Sequence, residues 1–236
     1  MRRVAAAACA AALVAGTALG HGGEPTPVLS FPLPPAGSYA LPPIQPLPDG
    51  EVLDTQGRAL SLATISRGHI TLLGLVYTRC ADPAGCPRAT WAFSTVRGML
   101  RADPALEQRV RLVTLSFDPA HDDPAAMAAY AAHERGAAKG APWDFLTTRS
   151  RATLRPILDG LGQDLSVARG SRAVPGTEEF THTLKVYLVD SKGRVREIYS
   201  SAWLMPAMIV NDIRTLALEE RAGYSYSAST ATLPAK

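Results

Sequence analysis

The chain has 236 residues, 24 lysines and arginines against 21 aspartates and glutamates, and three cysteines, a size that suits one ordinary domain with extensions. A net charge of +3 is too small for nucleic-acid binding by bulk electrostatics, and an apolar fraction of 47% excludes wholesale disorder. Three cysteines are too few for a disulfide-stapled scaffold, and an odd number asks which thiol stands alone.

Residues 1–20 read as an export signal. Arg2 and Arg3 form a basic start, an Ala/Leu/Val run follows, and Ala18 and Gly20 fit cleavage before His21. The run is alanine-heavy and just under spanning length, so a cleaved signal is expected, with no membrane span left in the mature chain. If the segment is retained, it serves as a membrane anchor. Cleavage removes Arg2 and Arg3 and takes the net charge from +3 to +1. It also removes Cys9, leaving Cys80 and Cys86 in an oxidising compartment such as the periplasm.

Residues 21–47 are dense in proline, in phrases such as Pro32-Leu33-Pro34-Pro35 and Pro42-Pro43-Ile44. They predict an extended arm, either a spacer or a strap over the domain surface. The folded domain is expected over residues 48–222. Residues 223–236, rich in Ser, Thr, Ala and Tyr without apolar periodicity, read as a flexible tail.

Within the domain, Glu51–Leu53 and Ala59–Leu62 flank Asp54-Thr55-Gln56-Gly57 and predict a small hairpin. Ile70–Tyr77 and Val110–Phe117 are nearly continuous apolar runs, as expected of strands buried on both faces. Pro87 suits the first turn of a helix running to about Arg101, and Asp123-Pro124 opens an Ala-rich helix to about Arg135. A short strand at Trp143–Leu146 and a helix over Ser150–Leu161 come next. Thr183–Val189 and Val195–Tyr199 form strands around the turn phrase Asp190-Ser191-Lys192-Gly193, and a last helix runs from Met205 to about Arg221. Strands alternating with helices, closed by a hairpin and a helix, predict an α/β fold: a mixed central sheet flanked by helices.

The chemistry concentrates in Thr78-Arg79-Cys80-Ala81-Asp82-Pro83-Ala84-Gly85-Cys86-Pro87. This phrase leaves a buried strand and enters a helix, and ligand sites gather at the carboxyl ends of such strands. A helix N-terminus favours thiolate, with Arg79 and Arg88 adding positive charge nearby. Five residues separate the cysteines, but Asp82-Pro83-Ala84-Gly85 is a strong type I turn pattern that draws its ends together. The thiols then come within disulfide or shared-metal reach. Three uses stay open on these residues alone: a fixed disulfide fastening the loop, a redox pair, or a soft-metal site. His182 reads, by itself, as a satisfied histidine at a strand edge, and His69, His121 and His133 as solvated.

Several phrases in order resemble the Sco (SenC) family of thioredoxin-like copper proteins. They are Thr78-Arg79-Cys80 through Cys86-Pro87, then Ser116-Phe117-Asp118-Pro119 with Asp122-Asp123-Pro124 and Tyr130. Trp143-Asp144-Phe145-Leu146-Thr147 follows, then Thr181-His182-Thr183 ahead of Tyr187-Leu188-Val189-Asp190 and Gly193. The similarity spans roughly residues 50–220. It implies a thioredoxin-like fold and an exported copper-binding metallochaperone with copper, as Cu(I) or Cu(II), on Cys80, Cys86 and His182. The implied partner is a client copper protein such as a cytochrome c oxidase subunit. Two features depart from the family pattern: the cysteine loop is two residues longer, and Thr181 precedes the histidine where the family usually has Asp. The longer loop favours the alternative, a thiol–disulfide oxidoreductase with Cys80 and Cys86 as its catalytic pair and no bound metal.

Overall fold

The computed structural model describes residues 31–80, 82–135, 140–167 and 180–223. The signal segment with Cys9, the first part of the arm and residues 224–236 of the tail lie outside the described residues. No helix among the described residues is long and apolar enough to cross a membrane.

Chain order begins with β1 (Gln45–Pro46), β2 (Glu51–Leu53), β3 (Ala59–Ser61) and a short helix, α1 (Leu62–Ser66). The first buried strand, β4 (Ile70–Val76), leads into α2 (Cys86–Leu100) and a single turn, α3 (Pro104–Glu107). Then come β5 (Val110–Ser116), α4 (Pro124–Arg135), β6 (Trp143–Leu146) and α5 (Arg151–Leu161). A two-stranded pair, β7 (Ser166–Val167) and β8 (Phe180–Thr181), precedes β9 (Lys185–Val189), β10 (Arg194–Ser200) and α6 (Pro206–Arg221).

The main sheet has the order β1-β10-β9-β4-β5-β6. Strands β4, β5 and β6 are parallel, whereas β9 runs antiparallel to β4 and β10 to β9. This is the mixed sheet that the alternating pattern predicts. All seven residues of β4 are buried because both faces are covered. Their side chains alternate between the two: Ile70 and Leu72 join one cluster with α2, α4 and α6, and Leu73 and Leu75 join the other with α5 and the β2 region. Gly74 lets α2 approach closely, since a Cβ there would sit 2.9 Å from Cζ of Phe93.

Local chemistry sets the helix ends. Ser150 caps α5 by accepting from the Thr153 amide, and Gly162, at φ +62°, closes it in the left-handed region. Proline occupies the first turn of α2 and of α6.

The proline-rich arm lies on the fold as a strap. The Gly37 amide donates to Thr215 Oγ1 at 3.1 Å, Asn211 Nδ2 to the Pro34 carbonyl at 3.0 Å, and the Leu41 amide to Glu219. The arm therefore runs parallel to α6. It then adds β1 to the sheet edge, with Leu41 and Leu47 buried in the two clusters. Beneath it Asp212 accepts from the hydroxyls of Tyr39 and Tyr199 at 2.6 and 2.7 Å.

Candidate functional site

The topology carries three predicted residues to one end of the sheet. Cys80 follows β4 and Cys86 starts α2, so both sit at the carboxyl end of the central strand. Because β9 is antiparallel to β4, its start lies at that same end, and His182 comes three residues before it.

The cysteine loop closes as the Asp-Pro-Ala-Gly phrase predicts. The Gly85 amide donates to the Asp82 carbonyl at 3.0 Å, and the Ala84 amide to Asp82 Oδ1 at 3.0 Å. A Cβ on Gly85 would lie 3.4 Å from the Cys80 sulfur and 3.3 Å from the Asp82 carbonyl, so the turn is folded directly over the thiol. Both cysteines are free thiols; Cys86 is buried and Cys80 only half-buried.

This geometry makes the two sulfurs unequal. The Cys80 thiol is drawn down to about 6, first by the Cys86 thiol that donates to it. The backbone N–H groups of Asp82 and Cys86 and the Tyr77 hydroxyl add to this, against a burial penalty. Cys86 is pushed far above the ordinary thiol range, because ionising it would break that hydrogen bond, bury a charge and place it beside a thiolate. The Tyr77 hydroxyl is raised to about 12, by burial first and then by the facing Cys80 charge.

Arg79, expected to add positive charge near the thiols, is paired with a carboxylate. Its guanidinium turns to Asp118, with Nη2 2.7 Å from Oδ2. His121, expected to be solvated, is largely covered and lies 2.9 Å from the same oxygen. Beside them Asp122 accepts from Thr78 Oγ1, the Thr78 amide and Ser116 Oγ at 2.5, 3.0 and 2.5 Å. Asp118 and Asp122 are fully buried. Sequence reasoning gave them no role. The signal was their presence in the Ser116-Phe117-Asp118-Pro119 and Asp122-Asp123-Pro124 phrases that carry the resemblance, in the loop after β5.

His182 sits in an aromatic wall rather than at a polar strand edge. Its ring is 4.7 Å from that of Phe117 and 6.5 Å from that of Tyr77, both edge-on. Both ring nitrogens are shielded from solvent, and neither has a hydrogen-bond partner of acceptable geometry among the described residues. Burial holds the imidazole below the ordinary histidine value, opposed in part by the nearby Phe180 backbone and the Asp82 charge. A neutral ring with two unsatisfied, buried nitrogens is in the form that binds metals.

Tyr77 touches both halves of the site, its hydroxyl toward Cys80 and its ring edge toward His182. The two thiols are in mutual contact. His182, however, does not share a common coordination point with them: among the described residues no three His, Cys, Asp or Glu side chains are placed to hold one metal ion. His69 and His133 lie elsewhere; His69 bonds only near its own turn, and His133 is exposed on α4.

A mixed α/β sheet with a thiol pair between its central strand and the following helix defines a thioredoxin-like protein. The SCO1/SenC family profile matches residues 49–218, and the chain belongs to that family. Solved structures agree. Apo Sco1 of Thermus thermophilus is 24% identical with a TM-score of 0.61, the match covering 76% of this chain and 95% of that one. Copper-bound ScoI of Bradyrhizobium japonicum is 22% identical with a TM-score of 0.57, covering 70% and 96%. A SCO1/SenC family lipoprotein of Bacillus anthracis is 19% identical with a TM-score of 0.62, covering 76% and 99%. No curated protein matches the sequence.

Proposed function

We propose that this chain is an exported copper-binding assembly protein, taking copper as cargo on the Cys80 and Cys86 thiolates with His182 as third ligand and passing it to a client copper protein. The observation that carries the reading is the pair of buried, unsatisfied nitrogens of His182 in a wall shared with the thiol loop through Tyr77. Two thiolates and a neutral imidazole form a soft set suited to Cu(I), and able to take Cu(II) with a further ligand. Copper-bound ScoI of Bradyrhizobium japonicum supports the choice of metal. Engagement of all three ligands requires the His182 imidazole and the two thiols to come to one point that they do not share in this structure. Thiol–disulfide exchange with a partner disulfide, which leaves as a dithiol as Cys80 and Cys86 become a disulfide, would remove two ligands and make copper binding redox-dependent. A cytochrome c oxidase subunit is the proposed client; a member of the same family of cytochrome c oxidase assembly proteins carries a disulfide switch.

The test is anaerobic Cu(I) titration of the reduced chain against a chromophoric chelator. Near-stoichiometric uptake is expected in the wild type and no tight uptake in a Cys80→Ala/Cys86→Ala double variant. His182→Ala should weaken binding about tenfold or more, the scale on which metal-site interactions act. Unchanged affinity in the double variant overturns the reading, and unchanged affinity in His182→Ala removes that residue from the site.

One asymmetry favours a second reading, a thiol–disulfide oxidoreductase: Cys80 is accessible whereas Cys86 is buried behind it. The Cys80 thiolate would attack a partner disulfide, forming a mixed disulfide and releasing one partner thiolate. Cys86 would then lose its proton and attack the Cys80 sulfur, forming the internal disulfide and releasing the second partner thiolate. Exchange with a model disulfide in metal-free buffer separates this reading from the first.

A further inference from the structure

The loop after β5 holds two fully buried carboxylates within five residues, and both reach across to the segment immediately before Cys80. Burying a carboxylate costs several kcal/mol, so two in one short loop call for a reason. Securing the strand is not sufficient: β4 is already paired with β5 along its length, and the Phe117 amide donates to the Val76 carbonyl at 2.9 Å. What the carboxylates add begins beyond that point. Asp122 takes both the amide and the hydroxyl of Thr78, and Asp118 takes the Arg79 guanidinium.

The carboxylates are themselves held. Ser116 Oγ donates to Asp122 and accepts from the Asp118 amide, and the Asp122 amide donates to the Asp118 carbonyl at 2.9 Å. His121 closes the outer side against Asp118. Neither carboxylate is among the main influences on the Cys80 sulfur.

We propose that Asp118 and Asp122 form a latch that positions Cys80 against Cys86, gripping the two residues that precede the thiol. They are positioning residues, acting through Thr78 and Arg79. A lengthened cysteine loop has more conformations to lose on bringing two sulfurs to one metal or one disulfide. Fixing its entry in advance removes part of that cost, as preorganisation does in any binding site. The latch rests on the geometry alone; its consequence for copper rests on the function proposed above.

The test compares Asp122→Asn and Thr78→Val with Leu216→Ala, a core truncation in α6 away from the site. Three quantities are measured on the full chain: Cu(I) affinity by chelator competition, the dithiol–disulfide equilibrium against glutathione, and Tm. Both latch variants are expected to weaken Cu(I) binding and shift the equilibrium toward the dithiol, each by about tenfold, or about 30 mV for a two-electron couple. Leu216→Ala should lower Tm while leaving both equilibria unchanged. Thr78→Val keeps the carboxylates and the side-chain size, so it decides the matter if Asp122→Asn does not fold. Equilibria within about twofold of wild type in the latch variants, whatever their Tm, overturn the proposal, since a tenfold effect is what preorganisation would have to supply. If the wild type takes up no Cu(I), the copper reading fails, and the glutathione equilibrium still decides the latch.

Discussion

The inequality of the two thiols gives the sharpest test of the site. Cys80 falls from the ordinary value of 9.0 to about 6, and the first cause is the hydrogen bond from Cys86. At pH 7 this corresponds to about 90% thiolate, against about 1% for an unperturbed thiol. Cys86→Ala removes the donor but leaves the amides of residues 82 and 86 and the Tyr77 hydroxyl. The midpoint should therefore rise by about one unit or more without reaching 9.0. The assay is thiolate absorbance, or the rate of iodoacetamide alkylation, followed from pH 4 to 10. Between the folded and unfolded values the folded state holds fewer protons. The same thiolate thus contributes stability that is complete above the unfolded value and is lost as pH falls through about 6. A midpoint in Cys86→Ala that stays at the wild-type value would refute the assignment of Cys86 as principal donor.

Two further outcomes follow from the packing. Gly74→Ala places a methyl 2.9 Å from Phe93 in a full core and should cost about 1–3 kcal/mol by denaturant unfolding, with the thiol titration unchanged. Arg196 is buried between Asp190, 2.9 Å from Nη1, and Glu219; Arg196→Ala takes a guanidinium from both, but Asp190 keeps Arg194 at 2.7 Å and Glu219 keeps the Leu41 amide, so the change should cost about 1–3 kcal/mol in the same assay.

The buried strands were legible because burial on both faces leaves an unbroken apolar run, as in Ile70–Val76. The proximity of the cysteines was legible too, since Asp-Pro-Ala-Gly specifies its own hydrogen bonds. What stayed hidden depends on distant partners. β1 and the pair β7–β8 are two-residue strands defined by the chain they lie against, and neither carries a period. The direction of the Arg79 guanidinium depends on a carboxylate 39 positions away, so its charge could be counted from the sequence but not aimed. His182 is a similar case. Its residue type was visible, whereas its lack of hydrogen-bond partners follows from Phe117 and Tyr77 arriving from other strands.

The strap also determines when the fold can be completed. Its hydrogen bonds to α6 join residues 178 positions apart, so the strap waits for the last helix before it has that surface to bind. Closing so long a loop is slow compared with forming the hairpins and helices between. Until α6 is made, Leu41 and Tyr39 have no surface to cover, and the edge of β10 stays open to other chains. The two ends of the folded unit act as a clasp, and a nascent chain lacking its last helix is left both unfinished and adhesive.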